Sequence, residues 1–522
     1  MTARVQVAAC DASPGRVPSW LLATALTLGL VMVVVYFRTL PQLALAEEDY
    51  RWQGVFRTLW ESGRATSLFG TSTGSYRPLC GALLLVEDGA GLGATAKFLV
   101  SALLHLTNLT ALGLLVSRVY GSRAGVLAAL TALCWSSANE VLASLGARCD
   151  LLSVTLGLVA SHAALSALRT PRAGYLFALL AALGVGCAAL VKETAFAFPL
   201  LWLIYAHATR APRWRYLLPA SALALLLLLA RTVISRGLGS YVDHYVDRGL
   251  LAFAANTIKA LGALALGSGP PAGPLLSVLA AIPALIVLSW LLTRQIFAKA
   301  RAHLALAFAL VLAPIGLLFA ARTLYPVVIL LAALVAVASA DGTRANRAAL
   351  ALALALQVAS GTVGLHRWER AYAARRAAIA EVAAVLRPGE RGLLIAPRAI
   401  FAGKPLGAVC TDDLAERRVV TRVCTPRPVV RPATPRLVQF LAPRDESHSA
   451  AYEIKVDREA PCDFRFRPPI GLSCLPAESA WVDQRSLGRG EVQLTPATAD
   501  LFQFLFRAGG RSRLARTDSC SP

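Results

Sequence analysis

The chain has 522 residues, of which 56% are hydrophobic and 16% charged, and its mean hydropathy is +0.58. That composition excludes an ordinary soluble globule. The formal net charge of +22 would suit a nucleic-acid binder, but much of the excess is arginine in short segments between apolar runs, where it sets membrane topology. Nucleic acid is therefore excluded as a partner.

Taken in chain order, apolar runs near the ~20 residues that cross a bilayer recur over residues 20–365. Residues 1–19 read as a cytoplasmic tail. Trp20–Phe37 has no small-residue cleavage site behind it and reads as a retained first span. A first outer loop, residues 39–96, carries Glu47-Glu48-Asp49-Tyr50, an amphipathic stretch Val55–Leu68, and Gly74-Ser75-Tyr76-Arg77-Pro78-Leu79. Phe98–Val116 follows, with His105 and Asn108 spaced to share one helical face. Singly, that pair reads as an interhelical hydrogen-bonding device. Gly125–Ala143 contains Glu140, and Arg148-Cys149-Asp150 precedes the run Leu151–Leu168. Lys192-Glu193-Thr194 stands before Pro199, and a further run covers Ala220–Ala230 with its flanks. Leu250–Gly267 holds Asn256 and Lys259 and stops before Pro270-Pro271, so it reads as a half-inserted or interfacial helix. Arg322-Thr-Leu-Tyr325-Pro326 leads into Val327–Ala340. The total comes to about eleven spans in an all-α polytopic architecture.

The loops orient these spans. Arg118/Arg123, Arg169/Arg172, Arg210/Arg213/Arg215, Arg294/Lys299/Arg301 and Arg344/Arg347 mark cytoplasmic connections. The alternate loops then hold Glu47, Glu48, Asp49, Glu61, Glu87, Asp88, Glu140, Asp150, Glu193, Asp243 and Asp247. Only Asp11 and Asp341 among the carboxylates before the last span fall elsewhere. Carboxylates near lipid are costly, so their gathering on one side predicts chemistry at the outer face.

Residues 366–522 change character, with 17 of the 30 acids and 25 of the 52 basic residues. Helical spacing over Trp368–Leu386 is followed by short β-like runs at Gly392–Ala396, Val419–Val423 and Tyr452–Val456. A small C-terminal α/β domain outside the cytoplasm is expected. Cys410–Cys424 and Cys462–Cys474 are spaced for bridges in an oxidising compartment, with free thiols as the alternative.

The order of motifs (acids after span one, SYRPL, HLTN, an E…ARCDLL loop, KET…P and RTLYP) resembles the GT-C superfamily of polytopic glycosyltransferases. The likeness is to protein O-mannosyltransferases and TPR-bearing transmembrane O-mannosyltransferases, over roughly residues 20–370, with no TPR array after the last span. It implies transfer of a sugar from a polyprenyl-phosphate carrier to a protein, lipid or glycan acceptor at the outer leaflet. Such chemistry needs a carboxylate base for the acceptor hydroxyl and cations for the departing phosphate. By resemblance the base lies in the first outer loop, as Asp49 with Glu48 competing. Arg77, Arg148 and Arg322 are candidates for the phosphate, with Tyr76 and Tyr325 in the same motifs. Glu140 and Asp150 would shape the sugar and acceptor pocket, and Lys192-Glu193 would close it. The carboxylates suit a metal-free scheme or one in which Glu48 and Asp49 hold Mg²⁺ or Mn²⁺. The Glu-Glu-Asp cluster departs from the family's usual Asp-Asp or Asp-Glu pair.

Other classes remain: an envelope glycan polymerase, ligase or transporter, for which the Pro270-Pro271 break is suggestive though no internal repeat is visible, or a non-catalytic scaffold. The Ala/Leu/Arg-rich, Lys-poor composition points to a bacterial inner membrane with a periplasmic outer face.

Overall fold

The structure is a computed structural model. It describes residues 17–45, 77–170, 173–234, 249–266, 324–340 and 343–385, short stretches between 278 and 311, and a set of strands between 391 and 517. The chain divides into two compact units, residues 1–41 with 52–365 and residues 42–51 with 366–522.

The first unit is helical throughout its described residues. Its helices are α1 (Ser19–Thr39), α2 (Pro78–Gly89), α3 (Ala94–Tyr120), α4 (Ser122–Cys134), α5 (Ala138–Leu142), α6 (Arg148–Arg169), α7 (Gly174–Val191), α8 (Ala197–Ala208), α9 (Leu218–Ile234), α10 (Gly249–Leu266) and α11 (Tyr325–Ala340), with the start of α12 (Arg344–Val385). Among the described residues, five stretches are long and apolar enough to cross a membrane: Ser19–Gln42, Ala94–Tyr120, Leu145–Arg169, Gly174–Val191 and Arg344–Ala377. Their outward faces are greasy. Leu26, Leu30, Val34 and Phe37 on α1, and Leu352, Leu356 and Val363 on α12, are all exposed. Rows of that kind facing water would be strongly unfavourable; facing lipid they are not. The protein is an integral membrane protein.

Packing inside the bundle relies on small side chains, because lipid gives helices no hydrophobic reason to associate and close contact must do so instead. Alanines 160, 164, 181 and 182 form the α6–α7 seam with Val185. The α3–α4 hairpin turns on Gly121 alone, at φ 92°, a backbone conformation suited to glycine. Four residues on, a Cβ on Gly125 would lie 2.2 Å from the Gly113 carbonyl oxygen, so the two helices meet backbone to backbone.

One expected run is broken. Gly125–Ala143 does not form a single helix; α4 ends at Cys134 and the chain turns before α5. The turn is held by polar anchors. Trp135 Nε1 donates to the Leu264 carbonyl at 3.0 Å, Ser137 Oγ to the Ala263 carbonyl at 3.3 Å, and Ser136 Oγ to the Gln357 amide oxygen. Gln357 Nε2 also donates to Leu264 O at 3.2 Å. These bonds satisfy carbonyls at the C-terminal end of α10 that have no partner within their own helix.

In the second unit the expected tail helix is the continuation of α12, which runs 42 residues, about 63 Å at 1.5 Å per residue, with no proline until Pro388. Its extension anchors the segment that follows α1: Arg375 Nη1 donates to Leu45 O at 2.8 Å, and Arg376 to Gln42 O at 2.6 Å and Gln42 Oε1 at 3.1 Å. Strands follow. Arg391–Ala396 pairs in parallel with Val419–Cys424, and Val482–Gly488 with Glu491–Pro496 and Phe502–Ala508 with Arg511–Thr517 are antiparallel. Cys410, Cys462 and Cys474, and hence both expected tail bridges, lie outside the described residues.

Candidate functional site

α3 and α6 run parallel and start at the same end of the bundle. α7 runs back against α6, so its last residue returns to that end. The charges gather there. Lys192, just past α7, pairs with Asp150 in the first turn of α6, where the helix N-terminus also favours a carboxylate. The next residue, Glu193, pairs with Arg77 at 3.0 Å. Arg148 pairs with Glu87 of α2 and donates to the Lys97 carbonyl and, at 3.1 Å, to Ser101 Oγ. Lys97 pairs with Asp88. Four ion pairs thus bind α2, α3, α6 and the end of α7 into one cluster.

Burial divides the cluster into a frame and a rim. The Arg148 side chain is 0% exposed and its partner Glu87 3%. Burial pushes the Glu87 carboxyl above the usual carboxylate range, against the pull of Arg148. Arg77 and Glu193 are 16% and 37% exposed, so this pair is open. Lys192 and Asp150 lie beneath it. Burial pulls the Lys192 ammonium below its ordinary range, opposed chiefly by Asp150. Asp150 Oδ2 and Thr194 Oγ1 are buried and meet no hydrogen-bond partner among the described residues. Beside the rim, then, stand a carboxylate acceptor and a hydroxyl that both donates and accepts.

A disulfide joins Cys80 of α2 to Cys149 of α6, with Cα atoms 5.6 Å apart and a sequence separation of 69. It is buried beside Val191, Leu79, Leu152 and Leu156. Sequence reasoning missed it, although Cys149 stands inside the ARCDLL motif it singled out and Cys80 directly follows SYRPL.

The remaining candidates are placed differently. Glu140 sits on α5 at partial burial. Tyr325 is fully buried; its hydroxyl meets His105 Nδ1 at 2.7 Å and accepts from Asn108 Nδ2 at 3.1 Å, and Asn108 Nδ2 also donates to Leu151 O. His105 and Asn108 therefore bind α3 to α11 and α6. Glu48, Asp49, Tyr76 and Arg322 lie outside the described residues. Among the described residues, no group of three or more His, Cys, Asp or Glu side chains is placed to hold a metal ion.

The opposite end is built otherwise. Arg118 donates to Ser166 Oγ at 2.9 Å and to His162 O at 3.3 Å, and Arg169 to Arg118 O at 2.9 Å. Arg213 reaches Leu168 O and Arg169 O, and Arg123 reaches Val17 O. Among the described residues none of these four arginines pairs with a carboxylate.

No family model and no curated protein matches the sequence. Two solved structures are similar to it. ArnT from Cupriavidus metallidurans bound to undecaprenyl phosphate shares 16% identity, with 82% of this chain and 97% of that chain covered at a TM-score of 0.36. The apo state of the same protein shares 18% identity at the same coverage and score. A likeness of that order fixes neither fold nor chemistry.

Proposed function

We propose that the protein is a membrane glycosyltransferase that takes a sugar from a polyprenyl-phosphate carrier and passes it to an acceptor hydroxyl. One observation carries this reading. The SYRPL arginine, the ARCDLL aspartate and the KET lysine and glutamate, far apart in sequence, meet in one cluster through Arg77–Glu193 and Lys192–Asp150. These are the motifs on which the resemblance to GT-C transferases rests.

In the reaction an acceptor hydroxyl oxygen attacks the anomeric carbon. A glycosidic C–O bond forms while the C–O bond to phosphate breaks. The hydroxyl proton passes to the Asp49 carboxylate, with Glu48 as competitor, and the electron pair leaves with the polyprenyl phosphate. Arg77, on the open rim, meets the growing phosphate charge, since a guanidinium binds phosphate in a planar, two-pronged geometry. Asp150 Oδ2 accepts a hydroxyl of the sugar or acceptor. Lys192 pairs with Asp150 and fixes the direction of its carboxylate. Arg148 supports the frame. Arg322 and Tyr76 join the phosphate side, while Glu140 borders the acceptor side. Hexosyl transfer, mannosyl in particular, to a protein, lipid or glycan is the finer expectation, with Mg²⁺ or Mn²⁺ at Glu48 and Asp49 in the metal-dependent variant.

The cluster lies at the end that the arginine loops assign to the non-cytoplasmic face. In this reading the N-terminal tail is cytoplasmic, residues 20–365 form the catalytic membrane domain, residues 366–522 form a periplasmic domain, and the setting is a bacterial inner membrane.

The test is release of free polyprenyl phosphate from a panel of polyprenyl-phosphate sugars by detergent-purified protein, supplied with acceptor extract. Sugar-dependent release, lost in Asp49→Asn or in Glu48→Gln, is expected and names the base. No release from any donor would overturn the reading in favour of transport or scaffolding.

A further inference from the structure

Arg148, Cys149 and Asp150 are consecutive in the first turn of α6, about 100° apart around the helix. They therefore point in different directions: Arg148 to Glu87 of α2 and to the start of α3, Cys149 to Cys80 of α2, and Asp150 to the end of α7. On α2, Cys80 stands one helical turn beyond Arg77. Lys192 and Glu193 are adjacent. A closed circuit results: Arg77 to Glu193, along the backbone to Lys192, across to Asp150, back one residue to Cys149, through the disulfide to Cys80, and down one turn to Arg77. Every link is a covalent bond, a helical turn or an ion pair.

We propose that the Cys80–Cys149 disulfide is a positioning element of the site, setting the distance between the phosphate-side Arg77 and the pocket-side Asp150, and that it marks this end of the spans as the one facing an oxidising compartment. The inference rests on the proposed function for what the site binds. Without the disulfide the circuit is closed only by ion pairs, and one of them, Arg77–Glu193, lies at the open rim where water competes for it. The disulfide is itself buried and carries no polar atom toward the rim, so it acts through Arg77 and Asp150 and not on a ligand directly. Its formation takes one hydrogen from each of two thiols and passes two protons and two electrons to a thiol oxidant, a disulfide-exchange protein of an extracytoplasmic compartment. The positive-inside reading of the arginine loops reaches the same orientation from the opposite end of the bundle.

The test begins with non-reducing peptide mapping of protein purified from membranes, which should find residues 80 and 149 cross-linked. The wild type is then reduced with a phosphine, and a Cys80→Ser/Cys149→Ser variant is prepared. The monodisperse folded fraction of each is assayed for binding of undecaprenyl phosphate in detergent and for turnover. Reduction should weaken binding and lower kcat by about tenfold or more, since small displacements at a reacting centre have effects of that size. Reoxidation with oxidised glutathione should restore both, which a misfolded sample cannot do. The exposed thiol Cys187 serves as control: Cys187→Ser should change neither. An absent cross-link, or a reduced folded protein with unchanged binding and turnover, overturns the proposal. If the untreated wild type neither binds nor releases undecaprenyl phosphate, the assigned chemistry fails instead, a result distinct from either.

Discussion

The two ends of the bundle solve the same electrostatic problem in opposite ways. α6 spans 22 residues between them, about 33 Å. At its start, Glu87, Asp88, Asp150 and Glu193 each meet a lysine or arginine from another element. At its finish, Arg169 and Arg213 donate to backbone carbonyls of neighbouring helix ends, and Arg118 donates to Ser166 Oγ and the His162 carbonyl of α6. A guanidinium on a helix C-terminus satisfies orphan carbonyls and meets the negative end of the helix dipole. Such an arrangement ends helices, and among the described residues it leaves no buried side-chain acceptor unpaired there. The start of α6 has both free acceptors and an open ion pair. In the proposed function, charge used in pairs between elements makes a place for a ligand, while charge used on carbonyls makes an end.

The largest effect is expected from breaking a buried pair at the first end. Lys192→Met strands the Asp150 carboxylate, and an uncompensated buried charge of that kind costs about 3–5 kcal/mol. Thermal unfolding in detergent should report the loss. Adding Asp150→Asn should restore much of the stability and none of the transfer. Recovery of both would make the pair purely structural. Next in size is a contrast within the same end. Arg148→Gln leaves Glu87 buried without its partner and should also destabilise by about 3–5 kcal/mol, yet the folded fraction should keep its donor KM within a few-fold. Arg77→Gln should do the reverse. The half-buried pair is worth little more than the roughly 0–1 kcal/mol of a surface pair, whereas losing a guanidinium placed on the phosphate in the proposed function should raise donor KM by about tenfold or more. If Arg148→Gln raised KM as much as Arg77→Gln, frame and rim would be one thing.

Much of this was legible beforehand. Trp20–Phe37, Phe98–Val116 and Leu151–Leu168 fall inside α1, α3 and α6, because an unbroken apolar run of span length has few other fates in lipid. Charge order along the chain picked out Asp150 and Glu193, and the SYRPL and KET stretches picked out Arg77 and Lys192. Their partners were not legible. Nothing in the sequence says that Arg148 turns inward to Glu87 while Arg77 stays at the rim, since both are arginines beside a helix start and only packing separates them. Cys80 and Cys149 were passed over because cysteines in apolar runs ordinarily act as small hydrophobes. The break at Trp135–Ser137 was hidden for a related reason: its cause is a set of partners on α10 and α12, more than 120 residues away.

The smallest expected effect lies at the arginine end, and it is the sharpest check on the contrast. Arg118→Gln and Arg169→Gln each leave an amide able to donate to a carbonyl, so what is lost is mainly the charge at a helix C-terminus. That is worth about 0.3–1 kcal/mol for an exposed residue, a shift in melting temperature near the limit of measurement. Transfer should be unchanged, because neither residue has a route of hydrogen bonds to the Asp150 cluster among the described residues. Their other role is topological and should appear only when the charge is reversed. Replacing Arg118, Arg169 and Arg213 together by glutamate removes the basic bias that, in the proposed orientation, holds these loops inside. An alkaline-phosphatase fusion in the loop after Arg169, silent in the wild-type background, should then gain activity as a fraction of molecules inserts with that loop outside. Loss of transfer in the single glutamine variants, matching that of Lys192→Met, would mean that the two ends share one function and that the separation of charge along α6 has another cause.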